Sequence, residues 1–312
     1  MEKLVIIAGG TGSVKLVRGI ASIVPQESLT VIANVGDNFK YLNLYVCPDI
    51  DTVTYALAGI LDRKRGWGIR GDSFKTLEML RCYGLETWFK LGDRDLATHL
   101  YRSWLLGQGL NLAEVTEKIR VSLGVKARIV PATNSRLETY IVTAEAGKIH
   151  LQEFWVKRGG RDKVLAVEYI GAEEANPTPE ALEAIREAWG IILAPANPIT
   201  SIGPTLAVPG IKEALKSSSG KVLAVSPIVG GRPFSGPAGR LMEGLGLEVS
   251  ALTVAKLYRE FLDIMVIDEA DSHLKGKIEN LGLKCFTAKT RMANLREEKR
   301  LAKTILKILG KA

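Results

Sequence analysis

The chain has 312 residues, enough for one large domain or two modest ones around a substantial core. A hydrophobic share of 46% with both charge signs mixed throughout describes a globular protein and excludes a disordered or fibrous one. The formal net charge of +8 selects for an anionic partner; because the basic residues are scattered rather than striped, a nucleotide or phosphate ester suits it better than nucleic acid.

No apolar run approaches the roughly 18 residues needed to cross a bilayer, and "MEKLVIIAGGTG" reads as a strand entering a glycine turn rather than as a leader. Cys47, Cys82 and Cys285 are widely spaced and form no metal or disulfide pattern, which points to a reducing cytoplasm. The densest basic run, "MANLREEKRLAKTILKILGKA", carries apolar residues at helical spacing and reads as the solvated face of a terminal helix.

In chain order, residues 3–8 read as a buried strand, 9–12 as a glycine loop, "SVKLVRGIASIV" as a helix and "LTVIAN" (29–34) as a second strand. This βαβ start predicts a Rossmann-like α/β core with a wound, mostly parallel sheet. Helices follow near 51–61, 73–83, 95–107 and 111–122, then the alternating segments "ARIVPA", "LETYIVT", "KIHLQEFWV" and "VLAVEYIGA", whose period of two predicts an antiparallel extension. The core is therefore expected over 1–60 and 172–312, with 61–171 as an inserted helical and antiparallel subdomain. From "PEALEAIREAW" onward the parallel theme resumes. Strands "GIILAP", "KVLAVS" and "DIMVID" run into the loops "ANPITSIGP", "PIVGGRPFSGP" and "EADS". Open α/β sheets bind ligands outside the carboxyl ends of their strands, so these loops are candidate site segments.

The loop "AGGTGSVKL" follows a strand and opens a helix, which suits a phosphate cradle built from Gly10, Thr11 and Gly12, with Lys15 adding charge. It is neither a dinucleotide fingerprint, since Lys15 stands at the third glycine position, nor a Walker A loop; a tight strand-to-helix turn is the structural alternative. In "CPDIDTVTYALAGI", Asp49 and Asp51 precede an apolar run. They can cap a helix or hold a hard cation such as Mg2+ beside substrate phosphates. "NVGDNFK" adds Asn34, Asp37 and Asn38 at the end of the second strand. The stretch "WFKLGDRDLATH" concentrates Lys90, Asp93, Arg94, Asp95 and His99; Asp95 can cap the following helix, and Lys90 and Arg94 can bind phosphate or carbonyl oxygens. One histidine without a second nearby argues against zinc. Trp67, between two glycines in "RGWGIRGD", can stack on a flat ring or anchor its loop.

Together the blocks "GGTGSVKL", "CPDIDTVTYALAG", "GWGI", "LGDRDLATH", "ANPITSIGP", "VSPIVGGRPFSGPAGRLM" and "DIMVIDEAD" resemble the CofD family of 2-phospho-L-lactate transferases of coenzyme F-420 biosynthesis, nearly end to end. The resemblance implies a Rossmann-like core with a smaller part enclosing the deazaflavin Fo. It also implies attack of the terminal ribityl hydroxyl of Fo on a GDP-activated 2-phospholactate or enolpyruvyl ester, with release of GMP. On it, Asp51, Lys90 and Trp67 contact Fo, and Asp49, Asp51 and Arg94 are catalytic. Asp49 and Asp51 hold Mg2+. Gly10, Thr11, Gly12, Lys15, Asn197, Ser201, Ser226 and Gly230 bind the GDP moiety, and the enzyme is a cytoplasmic homodimer. This chain departs from the family pattern at Ser13–Val14, at Ala196 and at Asn38. Two rivals are a nucleotide-binding regulator related to gluconeogenesis factor, which has no use for "GWGI" and "LGDRDLATH", and an NAD-dependent oxidoreductase, which needs the missing third glycine.

Overall fold

A computed structural model describes residues 2–310; Lys311 and Ala312, the end of the basic run, lie outside it. We number the strands of the main sheet β1 (Lys3–Ala8), β2 (Leu29–Ala33), β3 (Arg128–Pro131), β4 (Ala188–Leu193), β5 (Lys221–Val225), β6 (Ile264–Asp268) and β7 (Lys284–Ala288). They form one seven-stranded sheet in the order β7-β6-β5-β4-β1-β2-β3, and every ladder is parallel. Helices cover both faces, so β2 and β6 are buried at every position and read as continuous apolar runs rather than alternations. The chain winds outward from β1 through β2 to β3, returns to β4, and winds the other way to β7. The strand order reverses between β1 and β4, and the loops leaving those two strands frame a crevice.

Helix α1 (Gly10–Ala21) lies under the C-terminal helix Leu295–Leu309, which buries Leu301, Ala302, Ile305 and Leu309 and leaves its charged face in solvent, as the helical spacing predicts. Gly19 permits the approach, because a Cβ there would sit 2.5 Å from the Glu298 carbonyl oxygen. Arg18 forms a two-pronged ion pair with the buried Glu298 carboxylate. Lys15 donates to the Met292 carbonyl at 3.0 Å, turned toward this helix junction.

Between β2 and β3 run four helices, α2 (Pro48–Leu57), α3 (Lys75–Cys82), α4 (Asp93–Gly107) and α5 (Leu112–Ser122), close to the expected spans. Helix α2 starts three residues early because Pro48, with its fixed φ and missing N–H, occupies the first helical position. "ARIVPA" departs from expectation: Arg128–Pro131 pairs parallel with β2 as the sheet edge, so 61–171 is not wholly separate from the core. A four-residue alternation is too short to separate an edge strand returning from a crossover from an antiparallel one. The antiparallel extension is a three-stranded sheet of Gly147–His150, Glu138–Thr143 and Val164–Ile170. The end of "KIHLQEFWV" is not strand but a wide helical turn, Glu153–Lys157. Strand β7 and the small hairpin Phe39–Tyr41/Leu44–Val46 have no clear period in sequence, since one is largely exposed and the other spans three residues a side.

Candidate active site

Around the crevice, the glycine loop, the turn after β2, the start of α2 and the loop 195–201 after β4 enclose a cavity of about 410 Å³, a size that suits a small molecule. Its far wall comes from the 66–68 loop, the approach to α4, the Glu153–Lys157 turn and the loop 233–238. Gly9 and Gly12 are required by close packing: a Cβ would meet the Ser201 carbonyl oxygen at 2.5 Å or the Pro195 carbonyl oxygen at 2.5 Å. Gly10 adopts φ +70°, a conformation that favours glycine. Its N–H donates to Asp49 Oδ1 at 2.7 Å, so that group serves a carboxylate of the protein, while Thr11 and Gly12 at the α1 N-terminus face the cavity.

The "PDID" acids do not cap α2. The N-cap position is Cys47, which makes no capping side-chain bond, and both acids in the first turn point elsewhere. Asp49 Oδ2 accepts from Asn34 Nδ2 at 2.8 Å, and the same amide donates to Asp37 Oδ1 at 2.8 Å. Asn34 thus bridges two carboxyls beside the glycine loop. Burial pushes Asp49 up to about 6, against the hydrogen bonds from Asn34 and Gly10. Burial, with repulsion from Asp49, holds Asp37 well above the usual carboxylate range. Asp51 faces the other way, both of its oxygens paired with the guanidinium of Arg102, which is fully buried.

Helix α4 is begun by a reciprocal exchange. Asp72 accepts from the N–H groups of Arg94 and Asp95, both at 3.0 Å, and so caps α4 from outside. Asp93 accepts from Lys75 N at 3.1 Å, Thr76 N at 3.0 Å and Ser73 Oγ at 2.6 Å, capping α3 in return. The Ser73 bond, with that from the Thr76 backbone, holds Asp93 down at about 2. Asp95 is therefore not the cap expected of it: it lies inside α4, buried, and accepts from the Tyr55 hydroxyl at 2.8 Å. Burial, together with the Asp51 and Asp95 charges, pushes Tyr55 far above its ordinary range and keeps it a donor.

Of the expected site residues, Gly10, Thr11, Gly12, Asp49, Asp51, Trp67, Lys90, Asn197 and Ser201 line the one cavity, although they come from five separate segments. Lys15, Arg94, Ser226 and Gly230 do not. Lys15 is held at the C-terminal helix, Arg94 points into solvent, Ser226 closes its own turn with Ile228, and Gly230 donates to Asp271. The Trp67 indole both anchors its loop, with the Arg65 guanidinium 5.0 Å from its ring, and faces the cavity. Sequence reading missed Tyr55, Arg102, Gln152 and Trp155. A signal existed for the first two: Asp51 and Tyr55 are four apart, and Asp95, His99 and Arg102 fall at i, i+4 and i+7, one face of each helix.

A hard divalent cation is tested best against Asp37 and Asp49. Among the described residues no group of three or more His, Cys, Asp or Glu side chains is arranged to hold a metal. Magnesium, however, commonly takes one or two carboxylates and completes its shell with phosphate oxygens and water. A buried carboxyl, Asp49, and a half-buried one, Asp37, whose ionised forms are disfavoured and which border a glycine loop, fit that role. Asp51, the other acid of the expected pair, has both oxygens paired with Arg102, so its charge is already offset within the protein.

The family model described as "2-phospho-L-lactate transferase CofD" matches residues 4–299. A 2-phospho-L-lactate transferase of Methanosarcina mazei is 43% identical over 303 residues, covering 97% of this chain and 99% of the relative. A phosphoenolpyruvate transferase of Kitasatospora aureofaciens is 38% identical over 310 residues, covering 97% of each. Among solved structures, a UPF0052-family protein of Bacillus halodurans shares the fold, with a TM-score of 0.65 at 19% identity over 98% of this chain and 99% of that one. With its carboxylates, glycine loop and aromatic wall at the sheet's switch point, and a match along almost its whole length, this chain belongs to the CofD family of 2-phospho-L-lactate transferases.

Proposed function

We propose that this protein transfers a 2-phospholactyl or phosphoenolpyruvyl group from a GDP-activated donor to the ribityl hydroxyl of the deazaflavin Fo, releasing GMP. The near full-length identity to 2-phospho-L-lactate transferases carries the reading. The cavity supports it, joining a glycine loop on one side to Trp67, Trp88 and Phe89 on the other, a polar end for a diphosphate and a flat apolar end for a ring system. A regulator that binds only a nucleotide has no use for the second half.

In this reading the hydroxyl oxygen forms a bond to the phosphorus bearing the three-carbon acid. The bridging P–O bond breaks, GMP leaves with the electron pair, and the hydroxyl proton passes to the departing phosphate or to water. Mg2+ held by Asp49 and Asp37 would neutralise charge on the diphosphate. The N-terminus of α1, through Thr11 and Gly12, supports the same oxygens. Asn197 and Ser201, on the loop packed against Gly9 and Gly10, border the same end. Asp51 accepts the hydrogen bond of the attacking hydroxyl and orients it, and Lys90, exposed at the cavity edge, steadies the incoming deazaflavin. The enzyme is taken to work on small molecules in the cytoplasm as a homodimer, and no described helix is long and apolar enough to cross a membrane.

The test is an assay of purified protein with Mg2+, Fo and each activated ester, reading GMP and phosphorylated deazaflavin together. Stoichiometric appearance of both supports the reading; no turnover with either ester, alongside nucleotide binding, overturns it.

A further inference from the structure

Behind the cavity wall, α2 and α4 face one another across a seam of polar side chains. From α2 come Asp51 and Tyr55; from α4 come Asp95, His99 and Arg102. Arg102 is the largest fully buried side chain. Its Nη1 donates to Asp51 Oδ2 at 3.0 Å, and its Nη2 donates to Asp51 Oδ1. Nη1 also lies 3.1 Å from His99 Nδ1 and 3.4 Å from the Tyr45 carbonyl, while Nε has no partner among the described residues. His99 Nε2 stands 3.4 Å from Asp95, which Tyr55 ties at 2.8 Å. Asp51, Tyr55, Asp95 and His99 all reach the cavity; Arg102 alone does not.

A buried guanidinium with an incompletely satisfied donor set is a costly element to keep for stability alone, since well-packed apolar residues would serve as well or better. What the fork adds is geometry. A planar, two-pronged pair fixes both the position and the plane of a carboxylate, as a lysine could not. Each Asp51 oxygen uses one acceptor position on Arg102 and keeps another for a substrate hydroxyl. The pair also offsets the Asp51 charge, which favours Asp37 and Asp49 over Asp51 as ligands for a cation.

We propose that Arg102 is a positioning residue for the transfer: it never touches substrate, and it holds Asp51 as an oriented carboxylate in the cavity wall. This rests on the functional reading above. Arg102→Ala should lower kcat per folded molecule about 100-fold, the scale of a small misplacement of a reacting group, and leave GDP affinity by calorimetry unchanged. Added guanidinium should restore part of that kcat in Arg102→Ala and none in Asp51→Asn. Because guanidinium weakens folds, rescue by it runs opposite to any stability effect. Binding of Fo, read from quenching of its fluorescence, should weaken about tenfold. Arg102→Lys keeps a buried cation and serves if the alanine variant does not fold; loss of the fork should still cost it about tenfold in kcat. Unchanged kcat in Arg102→Ala or Arg102→Lys, or a kcat loss matched by an equal loss of GDP affinity, overturns the role. Wild-type protein that transfers nothing overturns the functional reading instead, and the Fo-binding comparison then decides the seam by itself.

Discussion

Asp49→Asn separates the strain in the carboxyl pair from its use. Burial raises Asp49 from 3.8 to about 6, and at about 1.4 kcal/mol per unit its ionisation in the folded, metal-free protein is disfavoured by about 3 kcal/mol. The folded pKa lies above the unfolded one, so the stability linked to Asp49 is fully present below 3.8 and is lost as pH rises through about 6. Asparagine removes the charge but offers one acceptor where Asp49 serves both Gly10 N and Asn34 Nδ2, so one hydrogen bond worth about 1 kcal/mol is lost. In chelator at about pH 8 the variant should therefore be more stable than wild type by about 2 kcal/mol, and the gain should vanish toward about pH 4. The assay is urea unfolding at both pH values with and without Mg2+, beside a transfer assay. Mg2+ should stabilise wild type and not the variant, and the variant should transfer little. A variant less stable than wild type at the higher pH without metal, or a difference independent of pH, refutes the reasoning.

Other outcomes follow from the same geometry. Glu298→Ala strips the partner from Arg18 beneath the C-terminal helix and should cost about 3 kcal/mol in denaturant unfolding, with kcat per folded molecule unchanged. Asp93→Asn should weaken the α3–α4 junction at neutral pH. The folded pKa is depressed to about 2, so wild type loses that stabilisation only as pH falls from 3.8 through about 2, where the two proteins should unfold alike. Gly12→Ala forces a Cβ to 2.5 Å from the Pro195 carbonyl oxygen and should push the phosphate-side loops apart, raising KM for the GDP donor.

Much of the fold was legible in the chain itself. "KLVIIA", "LTVIA" and "DIMVID" are apolar without alternation because their strands are covered on both faces, and with the βαβ order that pattern points to a parallel sheet. Glycines at 9, 10 and 12 announce a close backbone approach at the end of the first strand, and Pro48 fixes the start of α2. The motif blocks likewise placed nine cavity residues. What sequence could not settle was which neighbour each polar group would take. Asp49 and Asp51 are two positions apart on one helix, yet the turn of that helix aims one at Asn34 and the glycine loop and the other at Arg102. Lys15 and Arg94 are cations in the right blocks, but the helix faces they occupy lead away from the crevice. Asp72 and Asp93 cap each other's helices across some twenty residues, an exchange without local signature. The sequence determined the sheet, the loops and the inventory of acids. Tertiary packing decided that Asp49 pairs with Asn34 and Gly10, Asp51 with Arg102 and Asp93 with the start of α3, because hydrogen bonds and burial belong to partners distant in the chain.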